Sequence, residues 1–446
     1  MSSRLLRGEL RELFRLAMPL AAAQAGTQMM GLVDVAVLGR LGAPELAGSG
    51  LATAVFFAVC VFGMGMMLGI DPLVAQAVGA GDRIRARRVM WQGLWLSLIV
   101  TALLTLILLL GALALPLIGA APEIVRHARA FLLVRTAGLL PFLMFFVIRA
   151  YLQAHHVTKP MVIAMIIANV FNFALDLAFV FGIRGWIPAM GVAGAALSTV
   201  ICTFIELGIV AAAARKMKPD GNVDHRPERA AILQAAGVGM PIALHMGAEV
   251  GVFALVALLA GRLGTLQLAA HQLAINIASF TFTVAVGVAT AGSVRVGNAI
   301  GARNAEATRA AGNAAFVGGT LVMGVSAAVF ALAPGALARL FTNQAAVVAA
   351  SIPLMMVAAV FQLSDGVQAV GAGVLRGAGD TRYTFWTNLI GHWAIGLPLA
   401  LWLGFTRGLG IVGLWWGLCV GLTVVAALLF VRFERRSRAL IEPIAP

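Results

Sequence analysis

Apolar positions along this chain come in long unbroken runs, such as Trp95 to Ile118 and Val252 to Ala260 with its flanks, divided by short charged or Gly/Pro-rich breaks. Runs of about 20 residues match the thickness of a bilayer's hydrocarbon core. Strands crossing that core would alternate apolar and polar positions and would have to close into a barrel, so the runs predict helices. The breaks mark twelve spans, near residues 16–38, 47–77, 91–118, 130–153, 161–183 and 191–214, then 232–260, 268–294, 312–341, 351–375, 383–404 and 410–432. Arg4, Arg7, Arg11 and Arg15 before the first run resemble the charged start of a signal sequence. The run is too long and has no small-residue cleavage site, so it is read as the first span.

The two sets of six repeat one another. Met18-Pro19 recurs as Met240-Pro241, Gly39-Arg40-Leu41-Gly42 as Gly261-Arg262-Leu263-Gly264, and Gly79 as Gly301, all at an offset of 222 residues. The halves are then 1–214 (spans one to six) and 231–446 (spans seven to twelve), joined by a polar linker, 215–230, that contains Pro219, Gly221 and Pro227. A repeat of six spans keeps both copies in one orientation, as pseudo-two-fold partners about an axis along the membrane normal, and transporters bind substrate between such repeats.

Composition agrees. With 61% hydrophobic and 11% charged residues, against about 25% charged in soluble domains, the chain cannot dress a water-facing surface. The net charge of +14 does not point to nucleic acid, because the arginines are scattered through short loops rather than gathered with groove-reading partners. The expected surroundings are the lipid bilayer of a bacterial inner membrane. With the N-terminus inside, 23 Lys and Arg fall on the cytoplasmic side and 7 on the other, so both termini and the linker are expected in the cytoplasm. Cys60, Cys202 and Cys419 lie far apart inside apolar runs and read as packing residues.

Against that background the buried polar residues stand out, since an ionisable side chain in hydrocarbon costs about 3 kcal/mol or more. Asp34 lies late in the first span with apolar residues on both sides. Asn172 and Asp176 share one face of the fifth span at i, i+4, and Thr199 adds a hydroxyl from the sixth. Two carboxylates held close in a low dielectric cannot both ionise cheaply, so such a cluster suits a proton or a sodium ion. Glu249 and Asp365 lie in the seventh and tenth spans and suit a cavity for organic cations; an ion pair with a base such as Arg376 is the alternative. Glu206 reads as structural or snorkelling, and Asp71 as a turn residue before Pro72. Pro19 removes a ladder hydrogen bond from the first helix and lets it bend. No P-loop, HExxH or GxSxG is present, so an ion gradient or a partner must supply energy.

The segments Pro72 to Asp82, Ala269-Ala-His-Gln272, and Phe361-Gln-Leu-Ser-Asp-Gly-Val-Gln368 followed by Leu375-Arg-Gly377 resemble exporters of the multidrug and toxic compound extrusion (MATE) family, over nearly the whole chain. The resemblance implies an all-α membrane protein of twelve transmembrane helices in two six-helix lobes, exchanging H+ or Na+ for amphipathic cations without another cofactor, and working as a monomer. By motif position it makes Asp34, Asn172, Asp176 and Thr199 a coupling-cation site. Asp176 is similar to the DinF-type pattern, whereas Glu249 and Asp365 resemble the acids of the NorM branch, so the chain mixes features of both. A lipid-linked oligosaccharide flippase is the competing reading, although Arg135 and Arg149 read as lying near span ends where they would not hold a pyrophosphate. An intramembrane enzyme is the more distant alternative, and it lacks a nucleophile–base pair.

Overall fold

The computed structural model describes residues 3–217 and 221–445; Lys218, Pro219 and Asp220 of the expected linker lie outside the described residues. The first half comprises α1 (Ser3–Leu38), α2 (Ala43–Leu68), α3 (Ile70–Gly79), α4 (Arg83–Ala114), α5 (Pro122–Thr136), α6 (Leu139–Ala154), α7 (Lys159–Val180) and α8 (Val192–Lys216). The second comprises α9 (Arg229–Leu263), α10 (Thr265–Gly301), α11 (Ala305–Leu332), α12 (Pro334–Arg339), α13 (Ala345–Gly377), α14 (Thr381–Leu389), α15 (Leu397–Leu401) and α16 (Gly410–Arg436). Short π-helical segments, Ile390–Gly396 and Trp402–Thr406, flank α15.

Ten helices or continuous helix pairs among the described residues are long and apolar enough to span a bilayer, and α5 with α6 makes an eleventh, bent by 45°. The twelfth is α1, 36 residues long, whose Gln24, Thr27, Gln28 and Asp34 lower its mean hydropathy. The protein is therefore an all-α membrane protein of twelve spans in two six-helix lobes. Its outward faces are apolar, with Leu103, Leu106, Leu110 and Leu113 of α4 all exposed, as lipid requires and water would penalise. The ninth span ends at Leu332 rather than near 341 because Pro334 lacks an N–H and forces its predecessor out of the helical region; Ala333 takes φ −133° and ψ 42° before α12 restarts. In the second span the break falls at Gly69, and Asp71 and Pro72 lie in the first turn of α3, where proline is tolerated.

The internal repeat is visible residue by residue. Ala43–Gly79 and Thr265–Gly301 are each 37 residues long and offset by 222. The helices that follow start alike: Asp82 accepts a hydrogen bond from the Arg85 N–H (2.8 Å), and Asn304 accepts one from the Ala307 N–H (2.9 Å). These side chains satisfy donors that every helix start leaves open.

By compactness, one unit holds Ala22–Val78 and Asp82–Ala243; the other holds α1 as far as Ala21, Gly79–Gly81 and Leu244–Ala445. The divisions fall two residues after Pro19 in α1 and two residues after its counterpart Pro241 in α9. In the first unit the end of the linker is strapped to α4. Gln92 donates to the Arg226 carbonyl and accepts from the Glu228 N–H, Trp95 donates to the His225 carbonyl, and Arg88 pairs with Glu228 at 2.6 Å.

Candidate functional site

In the first unit three helices bring the sequence-predicted residues together. The later part of α1 is tied to α7 by Asn169, whose amide donates to the Gly26 carbonyl at 3.1 Å and to the Met165 carbonyl at 2.9 Å. Helix α7 meets α8 so closely that a Cβ on Gly194 would come within 2.6 Å of the Phe179 backbone. Thr199 Oγ1 then donates to Asp34 Oδ2 at 3.2 Å and lies 3.0 Å from the Ala195 carbonyl of its own helix. Asp176 and Asn172 both face the Asp34 carboxyl. Asn172, Asp176 and Ser198 are wholly buried, and Thr199 nearly so.

Hydrogen-bond accounting makes this cluster chemically incomplete. Asn172 Nδ2 donates to Ser198 Oγ at 3.2 Å, and Ser198 gives its only proton to the Asn172 carbonyl at 3.1 Å. Ser198 therefore has nothing left for Asp176, though it lies close by. Asp34 Oδ1, Asn172 Oδ1 and both carboxyl oxygens of Asp176 are buried without a hydrogen bond. Buried oxygens in that state are costly unless a proton or a cation bridges them, and an all-oxygen set is what a hard cation prefers. Met30, Ala168 and Cys202 pack together as an apolar neighbour to the site.

Arg135 differs from its sequence reading, and Glu206 departs only from the snorkelling half of its own. Arg135 ends α5 at the 45° bend with α6, in the middle of the fourth span rather than near its end. Its guanidinium lies over the Phe56 ring at 4.9 Å, and its charge acts on Asp34 and on Glu206. Glu206 is well inside α8, facing that charge, rather than snorkelling from a helix end. The bend at Ala137-Gly138 decides this placement, and the apolar run does not reveal it. All three cysteines are buried.

The second unit holds the other predicted acids. Glu249 and Asp365 act on one another electrostatically, and the base beside Glu249 is His245, one turn earlier on α9, with Nε2 3.3 Å from Glu249 Oε2. His392, in the π-helical segment, is fully buried and interacts with both Glu249 and His245. Phe253 lies between Phe361 and His392 with ring centroids at 6.2 and 6.3 Å. Next to Phe361 in sequence, Gln362 donates to Thr281 Oγ1 at 2.8 Å. Sequence reasoning missed both histidines. The i, i+4 spacing of His245 and Glu249 was the available signal, whereas nothing local in the sequence announces His392.

Pro19 lies inside α1 without breaking it. Here α10 approaches closely, a Cβ on Gly287 falling 2.9 Å from the Ala17 carbonyl and from the Ala21 nitrogen.

Twelve spans in two sequence-related halves, each enclosing buried polar groups, define a membrane transporter. The chain belongs to the MatE family, which matches residues 19–178 and 241–402, one block in each half. It is 35% identical to "Probable multidrug resistance protein NorM" of Bradyrhizobium diazoefficiens, over 98% of this chain and 95% of that one. It is 34% identical to "Multidrug resistance protein NorM" of Burkholderia vietnamiensis, over 96% and 94%. Among solved structures it is similar to an outward-facing multidrug resistance MATE family transporter of the MOP superfamily (25% identity, TM-score 0.86, 98% of both chains). It shares the fold of the eukaryotic MATE transporter AtDTX14 (21%, TM-score 0.85, 97% of this chain and 98% of that one). The family is one of transporters, not of enzymes.

Proposed function

We propose that the protein is a secondary active antiporter that exports amphipathic cationic drugs or toxic metabolites in exchange for H+ or Na+ by alternating access. The observation that carries this reading is the pair of facing carboxyls, Asp34 and Asp176, with Asn172 and Thr199 beside them and four buried oxygens lacking a donor. Such a pair binds a proton or Na+ when one is supplied and is left with uncompensated charge when it is not, so occupancy is coupled to conformation. The names of the relatives, multidrug resistance proteins at 35% and 34% identity, support drug export. Glu249 and Asp365 are proposed as the substrate or second cation site, and Pro19 as a point where α1 bends during transport. Both clusters lie within one chain, in keeping with a monomer. The 23-to-7 distribution of Lys and Arg supports cytoplasmic termini and linker in the inner membrane.

A flippase for anionic lipid-linked sugars gains one supporting residue, since Arg135 is mid-span. That charge already faces two acids, Asp34 and Glu206, and does not make an anion site. Efflux of a fluorescent cation from proteoliposomes under separately imposed Na+ and pH gradients tests the proposal. Export driven by one gradient supports it, and export indifferent to both overturns it.

A further inference from the structure

The opening turns of α1 have two unlike faces. Leu13, Leu16, Ala17 and Leu20 are buried. They pack on α11 and α10, a Cβ on Gly318 falling 2.9 Å from the Leu13 side chain and one on Gly287 2.9 Å from the Ala17 carbonyl. Glu9 turns the same way and pairs with Arg295 of α10. On the opposite face Arg7, Arg11 and Arg15 follow one another at i, i+4 and i+8, all exposed. Met18 continues that line and is 56% exposed.

The internal repeat supplies a comparison. At the offset of 222 residues, α9 has Arg229, Leu233, Gly237 and Met240 where α1 has Arg7, Arg11, Arg15 and Met18, and these four are exposed as well. The fold leaves this face open in both halves and accepts an apolar residue and a glycine there. The arginines at 11 and 15 are therefore particular to α1 and not a demand of its packing.

Length places the stripe at the membrane surface. With 36 residues, α1 is about 54 Å long and exceeds a hydrocarbon core of about 30 Å. The surplus stands in the polar layer, and the change from Arg15 to Met18 along one face marks where that layer meets the acyl chains. No ion pair among the described residues involves Arg7, Arg11 or Arg15. Glu12, the remaining acid of these turns, is exposed off their line. Three guanidinium groups are left to the surroundings, and their planar forks match phosphate oxygens two at a time.

We propose that Arg7, Arg11 and Arg15 form a binding surface for anionic phospholipids, whose phosphate groups they hold at the level where α1 enters the bilayer. Anionic head groups are the negative charges a membrane offers at that depth, and cationic side chains beside them bind by an attraction that salt screens. Met18 meets the acyl chains of the same lipids. The inference goes beyond the antiporter reading and does not depend on it, since it concerns the lipid that holds α1 and not the solute carried.

The test uses full-length protein with a bimane label on Gly8→Cys, an exposed position beside the stripe where a Cβ meets nothing within 4 Å; the native cysteines are buried. In phosphatidylcholine vesicles the label is quenched by added spin-labelled phosphatidylglycerol or spin-labelled phosphatidylcholine. Each arginine beside an anionic surface is worth about fivefold in affinity, so phosphatidylglycerol is expected to quench at a mole fraction about tenfold or more below that of phosphatidylcholine. Arg7→Gln, Arg11→Gln and Arg15→Gln together should bring the two curves into register, while Arg7→Lys, Arg11→Lys and Arg15→Lys should keep them apart. If the triple Arg→Gln variant does not fold, Arg11→Gln alone should close part of the gap. A preference for phosphatidylglycerol that the Arg→Gln changes leave intact, or no preference with the arginines in place, overturns the proposal. So does inorganic phosphate that removes the preference where chloride at the same ionic strength does not, because the surface would then hold a free anion.

Discussion

Thr199 Oγ1 and Asp34 Oδ2, 165 residues apart in sequence, lie 3.2 Å apart in the first unit, and that hydroxyl donates a hydrogen bond to the acid. A hydrogen bond to a charged group contributes about 1.5–3 kcal/mol. Thr199→Val keeps the shape and removes the donor, so it is expected to weaken apparent affinity for the coupling ion by roughly tenfold or more. Thr199→Ser should restore most of the loss. Initial efflux rates across a series of imposed ion gradients check this, and a silent Thr199→Val would remove the hydroxyl from the site.

Gly194 sets how closely α7 and α8 approach. A methyl group there meets the Phe179 backbone at 2.6 Å, and backbone cannot swing aside as a side chain can. Gly194→Ala is expected to cost about 1–3 kcal/mol as an overpacking change and to separate Asp176 from Thr199. Melting temperature in detergent and ion affinity should fall together. A variant that melts like wild type would show that the helices have room.

Much of this was legible in the sequence. The spans were visible because lipid demands runs of a fixed length, and Asp34, Asp176, Glu249 and Asp365 because a bilayer excludes acids without a purpose. The repeat foretold matching elements, as Ala43–Gly79 and Thr265–Gly301 show. What tertiary packing decides was hidden. Ser198 is one small hydroxyl among many until α8 meets α7, and it then spends its proton on Asn172. Arg135 becomes central through a bend at Ala137-Gly138, and His392 through a π-helical turn held against α16.

Pro19→Ala should lower transport more than stability. The helix already runs through Pro19, so restoring its missing N–H costs the fold little and penalises a bent state instead. Transport rate is to be compared with melting temperature, and equal losses in both would make Pro19 merely structural.

The topology has a direct test at Asn222, an exposed residue beside Gly221, whose own φ of 133° makes it a poor place for a side chain. The native cysteines are all buried, so Asn222→Cys should be the reactive thiol. It is expected to resist an impermeant maleimide in intact cells and to react in inside-out vesicles. Labelling from outside would reverse the assigned orientation.

The most direct measurement compares Asp34→Asn with Asp365→Asn for efflux and substrate binding across pH and Na+ concentration. Asparagine at position 34 is permanently neutral and mimics the ion-occupied state, so Asp34→Asn should abolish gradient-driven efflux of every substrate while leaving binding in place. Asp365→Asn should keep ion-dependent efflux and shift affinity for some substrates more than others. Ion-dependent efflux retained by Asp34→Asn but lost for every substrate by Asp365→Asn would contradict this account and put coupling in the second unit.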